Sequence, residues 1–115
     1  MNAVVQQERQ ELTMRDRLNR HEAAEETIGF MMAMRTEAIW NERKKAQPDA
    51  AKIAQWDSEF DRLADEQDNL RFDDDAAIQR VFDEYCPIVK ANYERARAAT
   101  SGEPPAATAT MRQAP

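Results

Sequence analysis

The chain of 115 residues has one cysteine, one histidine and two glycines. With Cys86 alone there is no intramolecular disulfide and no thiolate zinc cluster. With His21 alone there are no paired Glu-x-x-His motifs of the kind that build di-iron bundles. Two glycines leave no glycine-rich phosphate loop, and no basic stretch is interleaved with aromatics in the manner of nucleic-acid binders. No window approaches the roughly 20 apolar residues of a membrane span. The opening MNAVVQQERQ has no apolar signal core, so we expect a cytoplasmic protein with no membrane contact.

What is present is helical composition. Charged residues make up 33% and apolar ones 42%, with no strand-like alternation. The net charge of −6 is unevenly spread: residues 57–84 hold eleven acids against three bases, Arg62, Arg71 and Arg80. Such a middle segment disfavours phosphate and suits a basic partner, or serves solubility.

The pattern predicts an all-α fold of three to four helices, a long N-terminal helix packed with a helical hairpin. The first helix is expected over about 4–46, ending before Pro48, the second over about 50–70 with Asp49 as cap. Ile53, Trp56, Phe60, Leu63, Gln67 and Leu70 give the second helix one buried face. The third, about 75–98, carries Ile78, Val81, Phe82, Tyr85, Val89, Tyr93 and Ala96 on one face. Pro87 should kink or split it. One of Asp73, Asp74 and Asp75 should cap it, with the others favoured by its dipole. Residues 1–98 are expected to form one domain and 99–115 a disordered tail.

Few residues point to chemistry. The stretch HEAAEE, His21 to Glu26, lacks the second histidine of a zinc-protease helix, because Glu25 stands there. A solvated face is the plainer reading. Cys86 has no histidine near it in sequence and reads as a buried structural thiol. We therefore expect no enzyme, no cofactor and no metal.

The informative stretch is TIGFMMAMRTEAIW, Thr27 to Trp40. At about 100° per residue, Ile28, Met32 and Ile39 point one way, Phe30 and Met34 nearly the opposite way, and Trp40 elsewhere. A helix apolar nearly all round is buried on more than one side. Either its two neighbours wrap around it, or another chain covers part of it. The second reading makes Leu18, Ile28, Phe30, Met31, Met32, Met34, Ile39 and Trp40 a partner or dimer interface, with adaptable methionines. Aspartate at Phe30 or Met31 should then break partner capture or dimerisation and leave helicity intact. Gly29 costs helix stability, by roughly 1 kcal/mol relative to alanine, and would permit close approach. Met14, Leu18, His21, Glu25, Ile28, Met32, Arg35 and Ile39 trace a 4-3-4-3 register for a dimer seam.

This layout, a small helical chain with a long N-terminal helix, the apolar GFMMAM segment and a loose tail, resembles the small helical quorum-sensing anti-activators of bacteria. The resemblance lies in size and layout over about Met14 to Ala98. It implies a homodimer that binds the ligand-binding domain of a LuxR-type transcription activator and disrupts that activator's dimerisation and DNA binding. The hydrophobic interface it implies would fall on Phe30, Met31, Met34 and Trp40. Two other readings compete: an acidic nucleic-acid mimic that uses residues 57–84 to inhibit a DNA-binding protein, and another helical adaptor of antitoxin type.

Overall fold

The computed structural model describes residues 12–101, and for Ser101 the backbone only. It is all-helical: α1 spans Met14–Arg43, α2 Ala50–Asn69 and α3 Asp75–Ser101, with no strand among the described residues. The chain divides into two compact units between Tyr85 and Cys86, inside α3.

Each helix start has a side-chain cap. Thr13 opens α1 with a capping box. Its hydroxyl accepts from the Asp16 N–H at 3.0 Å, and the Asp16 carboxylate accepts from the Thr13 N–H at 3.3 Å. Thr13 itself is extended, so the helix begins ten residues later than the expected Val4. The stretch 4–11 lies outside the described residues. Asp49 caps α2, accepting from the N–H groups of Ala51 and Lys52. The three aspartates before α3 divide the work. Asp74 accepts from the Ala77 N–H at 3.1 Å, Asp75 pairs with Arg17 at 2.8 Å, and Asp73 binds Arg71 at 3.2 Å. The Arg71 guanidinium holds the Asp73 carboxyl below its ordinary pKa.

In the unit that ends at Tyr85, α1 and α2 form an antiparallel hairpin. Arg35 meets Glu59, Gln67 reaches the Glu25 carbonyl, and His21 meets the Leu70 carbonyl, so residue numbers rise on one helix as they fall on the other. The first turns of α3 run parallel to α1, with Arg17 on Asp75 and Arg20 on Gln79, and return to α2 through Glu66, which binds Arg80 and Tyr85. Ala24, Ile28, Met31 and Ile39 of α1, Leu63 of α2 and Leu70 at its C-cap, and Ile78 and Val81 of α3 make the core. Among the described residues the largest fully buried side chains are aliphatic: Ile28, Ile78 and Val81. A core this small leaves each member a sizeable share of the stability.

The α1–α2 turn is held by a buried carboxylate. Glu42, 5% exposed, accepts from the Asp49 N–H at 2.9 Å and from Lys45 Nζ at 3.0 Å. It thereby ties the end of α1 to the cap of α2. Tight bonds from Lys44 N to the Asn41 carbonyl and from Lys45 N to the Glu42 carbonyl end α1 at Arg43, three residues short of the expected Ala46. The Asp49 amide first, then the Lys45 ammonium, keep the Glu42 carboxyl below its ordinary pKa.

Three further expectations are corrected. Helical structure runs unbroken past Pro87, so the helix is not split there and no fourth helix is seen among the described residues. Pro87 cannot bond the Asp83 carbonyl, but both residues are exposed and water can satisfy the freed oxygen. The helix continues to Ser101 rather than Ala98, with Thr100 Oγ1 donating back to the Ala96 carbonyl at 2.9 Å; residues 102–115 of the expected tail lie outside the described residues. Cys86 is exposed, not buried, and so are Tyr93 and Ala96. Cys86 is five residues beyond Val81, about 140° round the helix from that buried side chain. In the unit that begins at Cys86 the described residues form a single helical segment, and one helix alone cannot bury its own stripe.

A carboxylate held below its ordinary pKa stabilises the fold while charged. That contribution is complete above the ordinary glutamate value of about 4.3 and disappears as pH falls through the lowered folded value. Glu42→Gln should therefore lower Tm at neutral pH, and its deficit against wild type should shrink on acidification below that value. Thermal melts of both proteins from pH 7 to pH 3 check this; a deficit that stays constant would contradict it.

Candidate protein-binding surface

The core-facing stripe of α1 is Ala24, Ile28, Met31, Arg35, Ile39 and Glu42, spaced 4-3-4-4-3. Everything else about the helix follows from that stripe. Phe30 is two residues from Ile28, about 200° round the axis, and so faces away from the core. It is 52% exposed, and Trp40 is 63% exposed. Leu18 and Met14 are exposed as well, and Met32 and Met34 are half-buried.

The eight expected interface residues thus separate. Leu18, Phe30 and Trp40 are presented outward, with Met32 and Met34 at the margins. Ile28, Met31 and Ile39 are 0%, 3% and 7% exposed and belong to the chain's own core. The physical reason is register. The buried stripe passes through Met31 rather than Met32, so the expected seam is divided: Ile28, Arg35 and Ile39 lie on the stripe, and Met14, Leu18, Glu25 and Met32 are exposed or half-buried. Aspartate at Met31 would place a charge in the core and cannot test an interface.

Beside Phe30, an open groove runs along α1 towards the last turn of α2. Gly29 and Ala33 form part of its floor. Its lining holds the carboxylates Glu22, Glu25, Glu26 and Asp68 and no basic side chain. Glu25 lies 3.7 Å from His21 Nδ1, whereas Glu22, Glu26 and Asp68 make no hydrogen bond or ion pair among the described residues. A β-carbon added at Gly29 would meet only Gln67 Nε2, at 3.6 Å, which is ordinary contact. Packing within the chain does not require glycine there.

A second concavity lies between the end of α1 and the start of α2, lined by Ile39, Trp40 and Phe60 with Arg43 and Asp57 at its rim. Lys44 Nζ stands 5.4 Å from the Trp40 ring centre, a cation–π contact. Ile53, Trp56 and Phe60 are half-buried here. Sequence reading placed all three in the core. The stripe was right, but of its members only Leu63 and Leu70 are buried, and the hydrogen bonds from α3 reach α2 at Glu66, beyond all three aromatic and aliphatic positions. The unequal reach of the helices was not visible in the periodicity.

The acids of α2 fall into two groups. Glu59 and Glu66 flank the core and are tied. Arg35 Nε donates to Glu59 at 2.6 Å, and Arg80 and the Tyr85 hydroxyl both donate to Glu66 at 2.7 Å. Bonds from Gln55 and then Arg35 hold the Glu59 carboxyl below its usual value. Burial first, then the hydrogen bond to Glu66, pushes the Tyr85 phenol up. By contrast, Asp57, Asp61, Asp65 and Asp68 are exposed on the outer face and unpaired among the described residues. At 1.5 Å per residue they carry about one charge per 5 Å, against one per about 1.7 Å of duplex DNA.

His21 is a clip rather than a ligand in this arrangement. A carbonyl oxygen can only accept, so Nε2–H donates to the Leu70 carbonyl, 2.8 Å away, and joins α1 to the end of α2. Among the described residues, no group of three or more His, Cys, Asp or Glu is placed to hold a metal, and no helix is long and apolar enough to cross a membrane. No protein-family model, no curated protein and no solved structure matches the chain.

The exposures separate two neighbouring residues. Met31→Ala should cost about 2–5 kcal/mol, the range for emptying a core site. Phe30→Ala should change stability by no more than about 0.5 kcal/mol, as at an ordinary surface site. Urea unfolding of the two variants checks the contrast, and equal losses would contradict the assignment of the two faces.

Proposed function

We propose that this chain is a non-enzymatic helical interaction protein that binds another protein through the outward face of α1. The observation that carries the reading is the half-exposed Phe30, set opposite the core stripe beside a groove. An exposed aromatic ring is the kind of anchor that dominates binding energy once a partner desolvates it. The groups with chemical potential are meanwhile engaged in structure: His21 on Leu70, Glu59 on Arg35, and Glu66 on Arg80 and Tyr85.

The resemblance to quorum-sensing anti-activators supplies a first concrete partner, the ligand-binding domain of a LuxR-type activator in a bacterial cytoplasm. A binder that prefers the monomeric activator draws population away from the dimer that holds DNA. Homodimerisation of the chain itself belongs to the other concavity. A two-fold contact needs a self-complementary surface. The Trp40–Phe60 notch has one, because Arg43 of one copy can meet Asp57 of the other across buried aromatics. The Phe30 groove does not, because its lining charges are of one sign.

The nucleic-acid mimic is the second reading, and it rests on the unpaired ridge Asp57, Asp61, Asp65 and Asp68. Charge spacing about threefold sparser than duplex DNA favours the first reading.

Phe30→Asp should abolish co-purification of the cellular partner, with a LuxR-type ligand-binding domain as the first candidate, while the circular dichroism spectrum stays that of wild type. Retained capture would overturn the interaction reading. Loss of activity on Asp61→Asn, Asp65→Asn and Asp68→Asn together, with Phe30→Asp still active, would favour the mimic. In light scattering, Trp40→Ala should halve the mass of a wild-type dimer; a wild-type monomer at micromolar concentration would remove the dimer from the proposal.

A further inference from the structure

We infer that the groove over Gly29 receives a basic amphipathic helix of another protein. The inference rests on the interaction reading above and names the chemistry of the partner. Three independent features meet at this place.

The first is charge. Glu22, Glu26 and Asp68 have no partner among the described residues, and the groove lining holds no base. An incoming surface with Lys or Arg at its edges would satisfy them and be steered towards them. A second copy of the chain would not, because a two-fold over this groove sets the same carboxylates against one another. Nor do the chain's ends supply a basic match. Residues 1–11 hold Arg9 against Glu8 and Glu11, and residues 102–115 hold Arg112 against Glu103.

The second is Gly29. Mid-helix glycine costs roughly 1 kcal/mol against alanine. Its own surroundings would accept a β-carbon, with Gln67 Nε2 at ordinary contact distance. The absent side chain therefore serves nothing within the described fold, but it lets an outside backbone or side chain approach α1 closely.

The third is length. From Asn19 to Ala33 the groove follows α1 for 15 residues, about 21 Å or four turns. That matches a docked helix whose anchors repeat at i, i+3 or i+4, and i+7. Those anchors would lie on Gly29 and Ala33 and against Phe30, with the basic flanks over Glu22, Glu26 and Asp68.

The test uses the full chain labelled with nitrogen-15 and three synthetic helical peptides of about 18 residues. One has a leucine face with lysine elsewhere, one the same leucine face with glutamate elsewhere, and one lysine with glutamine in place of leucine. The chain has only two glycines, so the Gly29 amide is a clean reporter. Only the lysine–leucine peptide should shift the Gly29, Phe30 and Ala33 amides. Its affinity should fall at least tenfold between 50 and 500 mM salt. Gly29→Ala should raise Tm yet weaken that peptide at least fivefold. Glu22→Lys, Glu26→Lys and Asp68→Lys together should transfer the preference to the glutamate–leucine peptide.

Four results would each overturn the inference. The glutamate–leucine peptide could bind wild type as well as the lysine–leucine one. The lysine–glutamine peptide could bind equally tightly, which would mean charge alone. The shifts could fall on Asp57, Asp61 and Asp65 instead of the groove. Gly29→Ala could leave affinity unchanged. If the lysine–leucine peptide fails while Phe30→Asp still blocks capture of the cellular partner, the basic-helix inference falls and the interaction reading stands. If Phe30→Asp captures as wild type does, that reading falls too.

Discussion

The fold hangs on a single narrow stripe along α1. Ala24, Ile28 and Met31 are buried on it, as are Leu63, Leu70, Ile78 and Val81 from the rest of the unit that ends at Tyr85. One helix can turn about a third of its circumference to such a core. The segment around Thr27–Trp40 carries apolar side chains over much more than that. Geometry then forces a division. Whatever lies opposite the stripe, Phe30 above all, is left outside by the same register that buries Ile28. The exposed aromatics of α1 are thus a consequence of how the core is built, and the partner contact proposed for them would add no demand on the fold.

Polar groups do the fine alignment that so small a core cannot. His21 and Gln67 each reach across the hairpin to a backbone carbonyl. Arg35 with Glu59, and Glu66 with Arg80 and Tyr85, close the core margins. These pairs are partly exposed, so their contribution is geometric more than energetic; exposed ion pairs contribute about 0–1 kcal/mol. Glu42 differs, because it is buried and satisfied by the Asp49 amide and Lys45. Removing its charge would weaken the charge-assisted bond from the Asp49 amide in the turn that sets the hairpin, while the exposed Lys45 could turn to water. The carboxylates therefore divide by position: those near the core hold helices together, and those on the outer face of α2 and around the groove are left to solvent or to a partner.

Much of the architecture is legible in the sequence, because caps and periodicity are local. Asp49 before a 3-4-3-4-3 stripe and the aspartate triplet before Ile78 marked two helix starts that the structure keeps. The start of α1 was legible too, in Thr13 and Asp16, but the proline-free run upstream hid it. The register of α1 was not legible. Met31 and Met32 are adjacent, both apolar, and about 100° apart, so periodicity could not choose which one the partner helices would take. Burial of Cys86 was misjudged for a related reason. Its place on α3 depends on which face meets the core, and a residue type alone does not say that. Of the candidate surface, Phe30 and Trp40 were legible as misfits of one stripe. The acidic groove was not, because Asp68 joins Glu22 and Glu26 only once α2 has folded back on α1.

The two exposed aromatics of α1 are spaced so that the two proposed contacts would not compete. Phe30 and Trp40 are ten residues apart, about 15 Å along α1 and roughly 80° around it after the near-whole turns are removed. A docked helix is about 10 Å across, so one seated over Gly29 need not cover the notch at Trp40. The surroundings keep the contacts distinct. One-sign charge around Phe30 opposes self-pairing, while Arg43 and Asp57 beside Trp40 permit it. Specificity here comes as much from the pairing that is discouraged as from the one that is favoured. In the proposed arrangement a copy of the chain would sit at one end of α1 and a different protein at its middle, and of the core side chains only Ile39, in the wall of the notch, would be drawn on.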